Sequence, residues 1–400
     1  MSRVSRIAAL PLAALAAALA GCQSSEVEFE PNITSAASLG LSAEQVGSIE
    51  GVLVEWFGTP DAPRLPERLP RLAELLDAGR LEQAAGRVES HTPGVTHGLY
   101  RRHCARCHGV SGDGRGPTAL YQAPYPRDFR YGVFKWKSTY RDAKPTADDL
   151  HQVLLRGVPG TAMPSFALLT DDERETLRQY VVYLAVRGEA ERVLQEFVAD
   201  EWAPGQPLVV DDALRDELFA GWIGPIVDAW ADAAQNSLPA PPAPSADAVA
   251  LGRELYHSER AGCYKCHGPE GQGGAAAQAG EPPDYDLWNA ARLAGRRSGR
   301  FAELSRNDLP VRASRPRELT AETPHGGADH ESLYRRVHQG VAGTPMPAVG
   351  ALRPGEAGPL TDREIAAITA YAQSLMATRS PHKGDGPSRS ASASNRSRPL

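Results

Sequence analysis

Cys104-Ala-Arg-Cys107-His108 returns 159 residues later as Cys263-Tyr-Lys-Cys266-His267, and the likeness continues downstream of both. Leu150-His-Gln-Val-Leu-Leu-Arg-Gly-Val-Pro-Gly-Thr-Ala-Met-Pro164 lies over Leu333-Tyr-Arg-Arg-Val-His-Gln-Gly-Val-Ala-Gly-Thr-Pro-Met-Pro347 without a gap, sharing G-V-x-G-T-x-M-P. Between motif and loop, Pro126-Arg-Asp-Phe129 matches Pro316-Arg-Glu-Leu319. After the loop, Leu169-Thr-Asp-Asp-Glu173 matches Leu360-Thr-Asp-Arg-Glu364, and each is a capping box with threonine at the N-cap and glutamate three positions on. Both boxes predict a helix start. Leu177, Tyr180, Val181 and Leu184 then share one face, as do Ile368, Tyr371, Ala372 and Leu375. The chain therefore carries one helical module twice.

The repeated chemistry is C-x-x-C-H, which reads as covalent haem attachment. Two thiols at that spacing suit the two vinyl groups of a porphyrin, and the adjacent histidine can turn to the iron. Zinc could use two C-x-x-C pairs, but a complete motif with its own histidine in each repeat favours haem. A thioredoxin-like pair needs a βαβ context absent here, and disulfides across two residues would close loops too small to stabilise much. The second axial position is addressed by methionine. Of the four methionines, Met1 starts the chain and Met376 is expected in the core, while Met163 and Met346 occupy the same place in the duplicated loop. The usual reading of a methionine is core filler; this duplication makes Met163 and Met346 the candidate distal ligands opposite His108 and His267. His151, His325, His330 and His338 are possible competitors, His338 foremost because it lies eight residues before Met346. Arg127, Arg130, Lys135 and Trp136, with Arg317 in the second repeat, are candidate propionate partners, although solvated surface charge explains them as well. The glycine-rich stretches 109–116 and 268–274 lack the Lys-Ser/Thr ending of a P-loop and read as tight turns at the haem edge.

With these motifs the chain resembles the class I c-type cytochromes, and as a whole a dihaem cytochrome c, over roughly residues 91–187 and 246–378. The resemblance implies a mainly α fold: two small helical domains in tandem, each with an early helix ending at C-x-x-C-H, a methionine loop, and a last helix that crosses the first. Tyr180 and Tyr371 would lie on the last helices. The second module departs from the compact pattern, because His267 and Met346 are 79 residues apart against 55 between His108 and Met163. With His/Met ligation each haem would be low-spin with both axial positions filled, suited to passing electrons. The expected function is electron transfer between a periplasmic or membrane respiratory donor and an acceptor such as a terminal oxidase. The alternatives are a dihaem peroxidase or sulfur-compound dehydrogenase, or a cytochrome subunit of a larger respiratory complex.

Around the modules we expect a signal peptide over residues 1–21, a tether and N-terminal extension over 22–90, the first cytochrome domain over 91–188, a helical and Pro-rich linker over 189–245, the second domain over 246–378 and a disordered tail over 379–400. Within the linker, helices are expected at Glu191–Trp202 and Asp211–Ala234, followed by the stiff stretch Leu238-Pro-Ala-Pro-Pro-Ala-Pro244. At the start, Arg3 and Arg6 precede the apolar run Ile7 to Ala20, too short for a membrane span. Leu19-Ala20-Gly21-Cys22 resembles a bacterial lipobox, implying lipidation of Cys22 and a periplasmic, membrane-anchored protein, with Gln23 favouring the outer membrane.

Four hundred residues exceed one ordinary domain. With 42% hydrophobic and 23% charged residues, the chain is neither a channel nor wholly disordered. Removing residues 1–21 takes two arginines and no acid, moving the formal charge from −6 to −8, so nucleic acid is not an expected partner. The composition does not specify an oligomeric state. Five cysteines are all assigned by this reading: one to lipid and four to two haems.

Overall fold

The computed structural model describes residues 27–274, 309–310, 312 and 315–377. The signal and lipidation expectations on residues 1–22, most of the second module's insertion and the tail 379–400 lie outside the described residues. Among the described residues no helix is long and apolar enough to cross a membrane.

The chain opens with α1 (Ile33–Leu39), capped by the Asn32 side chain, and α2 (Ala43–Phe57), whose Ser42 and Gln45 form a reciprocal capping box. The short helices α3 (Pro70–Leu75) and α4 (Ala78–Ala84) follow, then a hairpin of β1 (Glu89–Thr92) and β2 (Val95–His97). The first motif lies on α5 (Leu99–His103) and α6 (Ala105–His108). The Met163 loop lies between α7 (Ala147–Arg156) and α8 (Asp171–Glu201). Next come α9 (Asp212–Leu218), a π-helical turn at Phe219–Ile223 and α10 (Gly224–Ala231). The second module uses α11 (Ala248–Tyr256), α12 (Cys263–His267), α13 (His330–Gln339) and α14 (Asp362–Ala377). Both expected capping boxes form. Thr170 accepts from the Glu173 N–H at 3.2 Å and Thr361 from that of Glu364 at 3.4 Å, with each glutamate reaching back to the threonine N–H at 2.9 and 2.8 Å.

The expected boundary at residue 188/189 falls inside α8. Its 31 residues run straight through, and the stretch expected as a separate helix from Glu191 is its second half. Gly188 does not interrupt it; a Cβ there would lie 2.4 Å from the Cα of Arg130, so the glycine admits a neighbouring chain segment against an intact helix. The buried face of α8 continues past the module through Ala190, Leu194 and Val198. Ile49, Leu53, Trp56 and Phe57 of α2 share its cluster, as do Leu218, Phe219, Ile223, Val227 and Trp230 from the linker. Trp56 and Phe219 meet at 4.6 Å between ring centroids. Residues expected as tether and linker thus belong to the core of the first module.

Buried charge also joins the extension to α8. Arg187, 2% exposed, pairs with Glu50 at 2.6 Å and Glu191 at 3.4 Å, and lies 4.2 Å from the Phe29 ring centroid. One guanidinium does not balance a buried and a half-buried carboxylate, and desolvation beside Glu191 pushes Glu50 up to about 8. Residues 236–238 pair antiparallel with 138–140 through Tyr140 N–H to the Asn236 carbonyl (2.9 Å) and Leu238 N–H to the Ser138 carbonyl (2.8 Å). The connector proper therefore starts only after Leu238.

In the second module α11 crosses α14. A Cβ on Gly252 would sit 2.0 Å from the Ala367 carbonyl oxygen, so only glycine lets these backbones approach so closely. Tyr256 then packs edge-on against Tyr371 at 5.3 Å, as Tyr100 meets Tyr180 at 4.9 Å in the first module.

Candidate functional site

Each C-x-x-C-H ends a helix, and the same backbone cage encloses its histidine. Tyr100 Oη donates to the Gly109 carbonyl at 2.9 Å and Tyr256 Oη to that of Gly268 at 2.7 Å. Gly114 N–H bonds the His108 carbonyl (2.9 Å), as Gly273 N–H bonds that of His267 (2.8 Å). The returning Pro-Arg segment closes the cage: Phe129 N–H reaches the Gly112 carbonyl and Leu319 N–H that of Gly271. The glycine-rich turns therefore shape the histidine's surroundings.

That closure places a carbonyl at each imidazole. His108 Nδ1 lies 3.0 Å from the Arg127 carbonyl oxygen, and His267 Nδ1 lies 2.9 Å from that of Arg317. With Nδ1–H donating, Nε2 carries the lone pair and is the nitrogen a metal can take. Burial lowers both imidazoles, His108 to about 4, so each is neutral as a ligand must be. Phe129 stacks on His108 at 4.5 Å, fixing the ring plane.

None of the four described cysteines is in a disulfide, and no three His, Cys, Asp or Glu side chains among the described residues gather as a metal site. Burial pushes Cys104 up to about 12 and Cys263 to about 11. Gln122 Nε2 donates to Cys107 Sγ at 2.9 Å. Paired thiols beside a carbonyl-anchored histidine fit a covalently held haem at both places.

The methionine loops share the hydrogen bonds that surround the methionine. Val158 N–H reaches the Met163 carbonyl at 3.1 Å and Val341 N–H that of Met346 at 3.3 Å. Thr161 Oγ1 accepts from Met163 N–H at 3.2 Å while donating to the Val158 carbonyl at 2.8 Å; Thr344 does the same for Met346 at 3.3 Å and Val341 at 2.8 Å. Gly157 and Gly340 share φ 68° and ψ −163°, a region closed to other residues at low cost. The shared G-V-x-G-T-x-M-P is thus a loop that presents methionine. Both methionines are half-buried, and Met163 packs against the first module's core.

Several competitors are occupied elsewhere. His338 is 2% exposed, with Nε2 3.5 Å from Asp362 Oδ1 and its ring edge-on to Tyr140. His325 is held by Arg317 Nη2, and His330 Nδ1 lies 3.3 Å from Gln373 Oε1. Among the suggested propionate partners, Arg130 is buried and bound to Asp128 through Nε at 3.0 Å and Nη2 at 2.8 Å, so it is a structural ion pair. Arg317 serves through its backbone carbonyl, with its side chain paired to Glu322 at 3.0 Å. Sequence reasoning missed the tyrosine-to-carbonyl bonds, because Tyr100 and Tyr256 stand four and seven residues before their motifs and share no register.

The family described as cytochrome c oxidase, cbb3-type, subunit III matches residues 96–181, and the cytochrome c family matches residues 249–376. The chain is a dihaem c-type cytochrome. Two cytochrome c domains imply two covalently bound haem c groups with iron, and haem-based electron transfer. No curated protein matches this cytochrome. Among solved structures it is similar to a chain of the Kuenenia stuttgartiensis reducing HAO-like protein complex, with 23% identity, 70% of this chain and 94% of that chain covered, and a TM-score of 0.44.

Proposed function

We propose that Cys104 and Cys107 bind the first haem and Cys263 and Cys266 the second, with His108/Met163 and His267/Met346 as axial ligand pairs. Each of the four thiols would hold its haem by adding across one vinyl double bond, sulfur to one carbon and hydrogen to the other, with no oxidant needed. With methionine and histidine as its ligands, each bound haem would favour ferrous iron, which suits a carrier rather than an enzyme. The observation that supports this most directly is the identical placing of a carbonyl at Nδ1 of His108 and His267, which reserves each Nε2 for iron.

The chain's own part is positioning. Arg127 and Arg317 carbonyls orient the imidazoles, Phe129 holds one ring plane, and the threonine-braced loops keep the methionines in place. A ligand set that is rigid in both oxidation states limits reorganisation on electron transfer. Spectroelectrochemical titration of Met163→Leu and Met346→Leu beside wild type tests the assignment. Each variant is expected to turn one haem high-spin in the ferric state and lower its potential. Unchanged spectra in both, or a high-spin haem already present in wild type, would reject the carrier reading in favour of a dihaem enzyme.

We further propose that the mature protein begins at a lipidated Cys22 and is tethered on the periplasmic side of a bacterial membrane, outer membrane favoured, exchanging electrons with a respiratory donor and an acceptor such as a terminal oxidase. The basic start, short apolar run and Leu19-Ala20-Gly21-Cys22 support the tether. Cys22→Ser is expected to move the protein from the membrane fraction to the soluble periplasm; retention at wild-type level would exclude the lipid anchor.

A further inference from the structure

Both methionine loops lie where the two modules meet, but the modules treat each other's loop differently. On the first, Gly326 N–H of the second module donates to the Pro159 carbonyl at 3.0 Å, and the His325 ring rests on Gly160. Burial and neighbouring cations lower His325 to about 4, so that ring is uncharged. On the second, the first module places a guanidinium. Arg141 Nη1 donates to the Gln339 carbonyl at 3.0 Å and the Met346 carbonyl at 3.1 Å, and Nη2 to that of Thr344 at 3.5 Å. Gly340 makes room, since a Cβ there would lie 2.3 Å from Arg141 Nη1. At the equivalent Gly157 the nearest atoms belong to Met163 and Pro164 of its own loop.

Arg141 is mounted on a braced segment. Lys137, buried beneath it, donates through Nζ to the carbonyls of Tyr140, Arg141 and Ala143. Asp149 accepts from Ser138 N–H at 2.9 Å, and Tyr140 N–H is held by Asn236. From the other side, Gln339 Nε2 donates to the Lys137 carbonyl at 3.0 Å. The cation therefore sits at the second loop through fixed backbone, without a flexible surface arm.

We propose that Arg141 is a positioning residue for the second haem: it clamps the Met346 loop from the first module and raises the potential of the second haem relative to the first. This rests on Met346 as a distal ligand. A fixed cation at the loop of a haem ligand would disfavour the additional positive charge of the ferric state, and in a partly buried interface it is screened less than on an open surface. The two haems would then differ in potential by a device that exists only while the modules are docked.

The test uses the full-length holoprotein, with covalent haem content confirmed by mass, in spectroelectrochemical titrations of wild type, Arg141→Gln and Arg141→Lys. Met346→Leu identifies which wave belongs to the second haem. Arg141→Gln is expected to lower the ferrous-to-ferric ratio of the second haem about tenfold at a given potential, about 59 mV for one electron, and to leave the first haem in place. Arg141→Lys keeps the charge and should retain most of the difference. Equal shifts in both haems, no shift in either, or an equal loss in the lysine variant would overturn the proposal. An unchanged spectrum in Met346→Leu would instead refute the ligand assignment, whereas a changed one with an unmoved Arg141→Gln titration refutes the clamp alone.

Discussion

A Cys104→Ala, Cys107→Ala double variant is expected to lose one of two covalent haems and keep the other. In the proposed attachment both thioether bonds of the first haem would depend on these sulfurs, and the second module has its own complete motif at Cys263, Cys266 and His267. The two cages are built separately, each from its own tyrosine, glycine turn and Pro-Arg segment. Mass measurement under denaturing conditions reads the outcome directly. A variant that still carried two covalent haems would disprove attachment at the first motif, and one carrying none would show that the modules cannot mature independently. The first module should also lose stability, since Cys104 lies in its buried cluster.

The second large effect concerns residues that carry no motif. Deleting residues 27–90 is expected to prevent the first module from folding, with the second still acquiring its haem. Deletion would uncover α8 where Ile49, Leu53 and Phe57, each 0% exposed, now pack, and would leave Arg187 without Glu50. The milder Leu53→Ala should cost about 2–5 kcal/mol, the range for truncating a buried leucine, and chemical denaturation followed at the haem band would measure it. A protein lacking residues 27–90 that incorporated both haems and melted like wild type would show the extension to be a separate unit after all.

These two expectations draw on different kinds of information. The first was legible in the sequence because haem attachment is local: five consecutive residues make the motif, and duplication shows that its spacing to Pro-Arg and to the methionine loop is meaningful. The capping boxes at Thr170 and Thr361 were legible for the same reason, since each is closed within four residues. The loop motif G-V-x-G-T-x-M-P could be recognised as repeated, but its purpose became plain only when Thr161 and Thr344 were seen bracing their methionines.

The extension was not legible as core. Its helices show ordinary amphipathic patterns that do not say what they face, and Arg187, Glu50 and Glu191 look like surface charges until the fold buries them together. The expected break near residue 188 came from the end of the repeat, whereas helix α8 simply continues, because nothing in Gly188-Glu-Ala-Glu191 stops it and a buried face persists to Val198. Arg130 sits in a basic cluster by sequence, but folding gives it to Asp128.

Sequence by itself determined that this protein has two haem-binding modules of c-type cytochrome, with a candidate ligand pair in each, because that chemistry is written in short contiguous motifs. Tertiary structure alone decided that the extension and linker complete the first module, and that Arg141 reaches across 205 positions of chain to the Met346 carbonyl. Burial and docking depend on which distant surfaces meet, and no local pattern of residue types specifies that.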